Sequence, residues 1–191
     1  LSIKGGAGNT TSALNSAVIA NEEYNLKTAF IDISFSEAFS DLSSYLGIGN
    51  MPNLDYYFLN YKEGKDALRH SVSFKSGKGL DIYLSPMTSK SINKLDSDIF
   101  ASFLYQLRSY YNLIIFDYPL NLFSVNSFFE GITDFTTFFI VTSFPTPLCA
   151  RKTYEINKLI ADETKILNIL NNTSIPVTIK KEEYEKISGS K

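Results

Sequence analysis

Hydrophobic positions fall into short apolar runs separated by amphipathic stretches along the whole chain. Residues 1–3 form a strand stub that opens into the loop Lys4-Gly5-Gly6-Ala7-Gly8-Asn9-Thr10. From Thr11 to about Ala20, Leu14, Ala17 and Val18 recur at i, i+3 and i+4, the spacing of one helix face. Thr28-Ala29-Phe30-Ile31-Asp32-Ile33 is an apolar run carrying a carboxylate near its end, as expected of a parallel strand covered on both sides. Residues 35–78 give a mixed, mostly helical pattern broken by Gly47, Gly49, Pro52 and Gly64. Leu80, Ile82 and Leu84 alternate with other residue types and predict a strand that stops at Pro86. Ile99, Phe103, Leu107 and Tyr111 at four-residue spacing predict a helix over 98–110. Leu113-Ile114-Ile115-Phe116-Asp117 is the clearest buried strand, and 135–141 reads as another. Pro145 and Pro147 introduce a helix over 148–161, followed by a strand over 165–170 and a short helix over 180–187. Alternating strands and helices imply right-handed crossovers, hence an α/β fold with a mostly parallel sheet and helices on both faces. Neither a repeat nor a linker interrupts the 191 residues, so the expectation is a single domain over 1–191.

Composition narrows the chemistry. Hydrophobic residues make up 44% and charged residues 20%, a globular balance rather than a disordered one. A single Cys excludes a disulfide framework and any multi-cysteine zinc or iron–sulfur site held by this chain alone, and a single His argues against a Ser-His-Asp triad. The net charge of −2 gives no general attraction to nucleic acid. Since no apolar run reaches the roughly 20 residues that span a bilayer and no signal-peptide pattern is present, the expected location is the cytoplasm. The chain opens on Leu1 inside a strand, so a fragment truncated at both ends is expected.

A glycine-rich loop between a strand and a helix suits phosphate. Its glycines let successive N–H groups point inward, and the helix N-terminus adds its dipole. Gly5, Gly6 and Gly8 precede Thr10-Thr11 in that context, and Thr10 would open the helix with its hydroxyl available to Mg²⁺. The plainer alternative is a tight turn with no ligand.

Lys4-Gly5-Gly6-Ala7-Gly8-Asn9-Thr10-Thr11 resembles the deviant Walker A loop, KGGxGKT[T], of the MinD/ParA family of P-loop NTPases. The resemblance implies ATP and Mg²⁺ as cofactors, a nucleotide-dependent homodimer, and nucleotide contacts from residues 4–11. Lys4 occupies the position of the signature lysine that reaches across the dimer to the partner's phosphates, while Asn9 replaces the second lysine. Phe30-Ile31-Asp32-Ile33-Ser34 is similar to the family's vDlD segment: Asp32 matches the Mg²⁺-holding Asp, and Ser34 stands where a water-positioning Asp is usual. Ile114-Ile115-Phe116-Asp117-Tyr118-Pro119 looks like the Walker B strand, giving Asp117 a place near Mg²⁺ beside Thr10. Residues 138–142 followed by Pro145 are similar to the vllVt.p segment, and Ile169-Leu170-Asn171 to the strand whose Asn touches adenine.

The two departures act in one direction. Asn9 removes a positive charge at the β/γ-phosphates, and Ser34 removes the group expected to orient water. Binding should be weakened and hydrolysis slow or absent, unless Lys4 in cis or the dimer partner restores the charge. A lysine-less GGxG-x-TT loop resembles the CpaE/TadZ pilus-assembly branch, and residues 179–189 are similar to a charged helix of that branch. This implies a localisation factor for Tad/type IVb pili that meets pilus or polar machinery and is recruited to a pole or the inner membrane face. Membrane association would come only through partners or missing segments, and no nucleic acid is expected. Two other readings stand beside it: an active ParA/MinD-type ATPase for DNA partition or division-site placement, and a nucleotide-free interaction scaffold.

Among the remaining residues, Asp41, Asp96, Asp98 and Asp134 read as caps or surface groups, His70 as a surface residue and Cys149 as buried. Tyr56-Tyr57-Phe58 and Phe128-Phe129 are expected to offer a partner patch. Lys62, Lys65, Arg69, Lys75 and Lys78, diluted by Glu63 and Asp66, are expected to form a solvated face.

Overall fold

The computed structural model describes residues 1, 3, 5–33, 41–87, 97–118, 132–160, 162–171 and 179–190. Lys4, Ser34, Asp96, Pro119 and the Phe128-Phe129 pair lie outside the described residues. The rest pack as two compact units, one within 10–118 and one built from 1–9 and the chain after 132.

The first unit is organised by β1 (Thr28–Asp32), buried at every position. It lies between β3 (Leu80–Tyr83) and β4 (Leu113–Asp117) and runs parallel to both. A two-residue edge strand, β2 (Phe74–Lys75), pairs antiparallel with β3, completing the order β2-β3-β1-β4. Sequence periodicity gave no hint of β2, because two exposed residues carry no alternation. The helices of this unit are α1 (Asn9–Glu22), α2 (Asp41–Leu46), α3 (Leu54–Asn60), α4 (Lys65–His70) and α5 (Ser97–Tyr110).

Strand residues alternate between faces, so β3 joins two separate cores. Leu80 and Ile82 pack with Leu14 and Ala17 of α1, Phe30 of β1 and Leu42 of α2. Tyr83, on the opposite face, meets Phe103 of α5 at 6.5 Å between ring centroids. Phe103 also lies 5.0 Å from Tyr57 and 5.6 Å from Phe58 of α3. The Tyr56–Phe58 segment is therefore corrected: Tyr57 and Phe58 are core residues, and only Tyr56 is exposed. The reason is helical geometry, since adjacent positions on α3 point in different directions and two of the three rings turn toward α5.

In the second unit, β5 (Phe139–Ser143) and β6 (Ile166–Leu170) run parallel in register. Thr142 donates to the Leu1 carbonyl and accepts from the Ile3 amide, the pattern of a parallel ladder, so the N-terminal stub lies along β5. Helix α6 (Pro147–Leu159) starts at Thr146, whose hydroxyl accepts from the Cys149 amide, with Pro147 in the first turn. Cys149 is buried, as expected. Helix α7 (Lys181–Ser188) is held through the Tyr184 hydroxyl, which meets the hydroxyls of Ser143 and Thr153 in a buried network. The strand expected over 135–141 begins later than the apolar pattern suggests. Residues 132–135 form a helical turn closed by the Thr136 hydroxyl donating to the Ile132 carbonyl, and ladder pairing starts at Phe139.

Phe103→Ala removes the ring on which α3, α5 and β3 converge. Loss of about 3–5 kcal/mol of stability is expected for such a truncation, read as a fall in the urea midpoint.

Candidate functional site

The glycine-rich loop turns sharply at two positions. Gly6 and Gly8 have φ of +79° and +87°, values that a side chain disfavours. Space is tight at Gly8 as well: a Cβ there would stand 3.1 Å from the Asn171 amide nitrogen. That nitrogen donates to the Ala7 carbonyl at 3.1 Å, so the residue following β6 buttresses the loop from a position 164 residues away. The Asn171 backbone amide in turn donates to the Ser143 carbonyl at 2.8 Å, carrying the β5–β6 ladder up to the loop. Ala7 is buried, while Gly5 and Gly6 are exposed. The Asn9 side chain is a neutral amide, which brings no positive charge to the loop.

Asn9 and Thr10 are the first two residues of α1, where an α-helix leaves its leading N–H groups without intrahelical partners. The Thr10 hydroxyl donates to the Asp117 carboxylate at 2.5 Å. Asp117 ends β4 and is the registered neighbour of Asp32, which ends β1. Both aspartates are nonetheless buried. Two acidic side chains at one level of adjacent strands, with a hydroxyl on one of them, form an oxygen-only group suited to a hard cation. Among the described residues no cluster of three His, Cys, Asp or Glu could hold a metal unaided. A Mg²⁺ here would take its remaining ligands from water and phosphate, which is that ion's usual habit. Tyr118, next in sequence to Asp117, is buried, and burial pushes its phenol up to about 12. It stays neutral at physiological pH and adds no charge beside the carboxylates.

The structure thus brings together Thr10, Asp32 and Asp117, the three residues expected to hold Mg²⁺. It places Gly5, Gly6, Ala7, Gly8 and Asn9 in a turned loop leading into α1, with Asn171 against it. Thr11 is exposed on the first turn of α1. Nothing in the sequence signalled the bond from Asn171 to Ala7, since it joins residues near opposite ends of the chain. Gly8→Ala meets both the left-handed backbone and the Asn171 amide. A cost of about 1–2 kcal/mol from the backbone alone is expected; in an Asn171→Ala background the contact is gone, so adding Gly8→Ala there should cost only that backbone share, as compared by thermal unfolding.

No protein-family model matches the sequence, and no curated protein matches it. Solved structures do resemble its fold. A ParA family ATPase from Chlorobium tepidum TLS matches with a TM-score of 0.81 at 24% identity, over 99% of this chain and 78% of that one. The septum site-determining protein MinD from Pyrococcus horikoshii OT3, solved with Mg-ADP, matches at 0.68 and 20% identity, over 96% and 73%. A plasmid partition protein from Borrelia burgdorferi matches at 0.66 and 18% identity, over 100% and 84%. The α/β fold with a mostly parallel sheet is that of the ParA/MinD-type P-loop NTPases.

Proposed function

We propose that the chain is a nucleotide-dependent switch that binds ATP with Mg²⁺ and hydrolyses it slowly or not at all. The Thr10–Asp117 contact beside Asp32 carries this reading, because it assembles a magnesium-type oxygen group where the glycine loop enters a helix. Residues 4–11 would hold the phosphates through backbone N–H groups, with Lys4 acting across a nucleotide-dependent homodimer. Asn171 would serve the nucleotide by fixing the loop through Ala7. Bound Mg²⁺ would neutralise phosphate charge, and the chain's own part is to position it with Thr10, Asp32 and Asp117. Weak hydrolysis rests on Asn9, which carries no positive charge, and on Ser34, which has no carboxylate to orient water.

The role that fits a slow switch is placement or assembly of a larger machine. We assign it to the CpaE/TadZ kind: a factor for Tad/type IVb pili, working in the cytoplasm and recruited to a pole or the inner membrane face by partner proteins. The deviant Walker A pattern at Lys4 and the lysine-less loop support this branch. Among the described residues no helix is long and apolar enough to cross a membrane. A second reading, an active partition ATPase, is favoured by the names of the ParA and plasmid-partition structures.

Calorimetry should show Mg²⁺-dependent ATP binding that Asp117→Asn weakens, together with phosphate release far below that of an ordinary ParA or MinD ATPase. No heat of binding with ATP and Mg²⁺ would leave the scaffold reading, and rapid turnover with DNA retained in a salt titration would select partition. Asn9→Lys restores the missing cation and is expected to tighten ATP binding about tenfold or more, the size of a charge-assisted hydrogen bond, measured in the same titration.

A further inference from the structure

Three cations crowd one aromatic ring at the end of the four-stranded sheet opposite Asp32 and Asp117. Lys27 directly precedes β1, and its Nζ stands 5.1 Å from the Tyr110 ring centroid and 5.2 Å from that of Tyr111. Lys65 Nζ and Arg69 Cζ of α4 lie 5.3 Å and 5.9 Å from the same Tyr110 ring. Lys75 of β2 is the registered partner of Asp81 on β3. Lys27, Arg69, Lys75, Asp81 and the two tyrosines border a cleft of about 180 Å³.

The charges of this cleft do not balance. Asp66 sits 3.8 Å from Arg69 at the surface. Asp81 accepts the Tyr111 hydroxyl at 2.7 Å, and that hydroxyl is 2.6 Å from the hydroxyl of Tyr83. A phenol has one proton, so Tyr111 gives its own to Asp81 and accepts from Tyr83. Burial holds both phenols well above their ordinary values, so the relay carries no charge except that of Asp81. Among the described residues no carboxylate comes within 4.0 Å of Lys27, Lys65 or Lys75. Four cations therefore face two carboxylates, a surplus of two positive charges. Aromatic faces attract cations electrostatically, and here they hold the ammonium and guanidinium groups at the cleft.

We propose that this cleft binds the dianionic phosphate of a phosphate monoester. The surplus matches a dianion. Arg69 offers the planar fork that pairs with two phosphate oxygens, and Lys27 and Lys75 supply point charges from the other walls. The volume admits a phosphate together with several waters. The site depends on no part of the nucleotide reading, since Lys27 precedes the strand that Asp32 ends.

The test is a titration of the 191-residue chain with inorganic phosphate and then glycerol phosphate at constant ionic strength. It is followed by amide shifts at residues 27, 75 and 111 and by the Arg69 Nε–H signal, while the amides of 5–9 report separately on the loop. Saturable shifts at the cleft are expected. Arg69→Ala with Lys75→Ala, both at exposed positions, should weaken them at least tenfold. Asp81→Asn should tighten them several-fold, a gain that poor folding does not mimic. Vesicles of phosphatidylcholine containing phosphatidate identify the carrier: co-sedimentation lost in the double variant assigns a lipid-borne monoester, and its absence beside saturable glycerol phosphate binding assigns a soluble one. Shifts that fail to saturate, that chloride reproduces, or that are confined to residues 5–9 would overturn the proposal.

Discussion

Strand β1 has no exposed side, and its partners on both edges are fixed by that burial. Thr28 through Asp32 pair with Leu113 through Asp117 position by position. A slip of one residue would turn Phe30 out of the cluster that contains Leu14 and Ile82 and would bring Ala29 or Ile31 in its place. The register that fills the core therefore also sets Asp32 level with Asp117. Like charges at facing positions disfavour one another, and a divalent cation held by Asp32 and Asp117 would offset that repulsion. The packing of an apolar strand and the placement of an acidic pair are one constraint.

The loop depends on a second constraint of the same kind. Gly6 and Gly8 adopt backbone conformations that other residues resist, and Asn171 closes over Gly8 to reach the Ala7 carbonyl. Phosphate binding by backbone N–H groups requires such a shape to persist without the ligand. The shape comes from the glycines and from the amide of Asn171, the residue following β6, rather than from the residue at position 9. This separation of loop geometry from loop charge underlies the proposed switch: affinity can remain while acceleration of phosphoryl transfer is lost.

Among the described residues, one connected group of aromatic side chains serves two purposes. Tyr57, Phe58, Tyr83 and Phe103 pack edge to face, with Tyr57 tilted against Phe103, across one side of the sheet and give α3 and α5 their positions. Tyr111 continues that group outward. Its ring meets Tyr83 at 6.2 Å with planes at 90°, and its hydroxyl reaches Asp81. A buried aromatic core thus ends in a polar relay, and the basic side chains of α4 and β2 gather where it surfaces.

Read alone, the sequence determined the alternation of strands and helices outside residues 35–78, the helix over 98–110, the strand Leu113–Asp117 and the residues of the glycine loop. Those features are local: periodicity reports burial directly, and a loop motif is contiguous. It also nominated Thr10, Asp32 and Asp117, whose proximity the fold then supplied. Tertiary structure alone decided what depends on partners far along the chain. The apolar run at 135–141 split because the Thr136 hydroxyl closed a helical turn on Ile132 and left pairing to begin at Phe139. Tyr57 and Phe58 became core because α5 offered Phe103 to them. Asn171 met Ala7, and Lys27 met Tyr110, across 164 and 83 positions of sequence. No spacing rule reaches such distances, because those contacts exist only once the strands have chosen their neighbours.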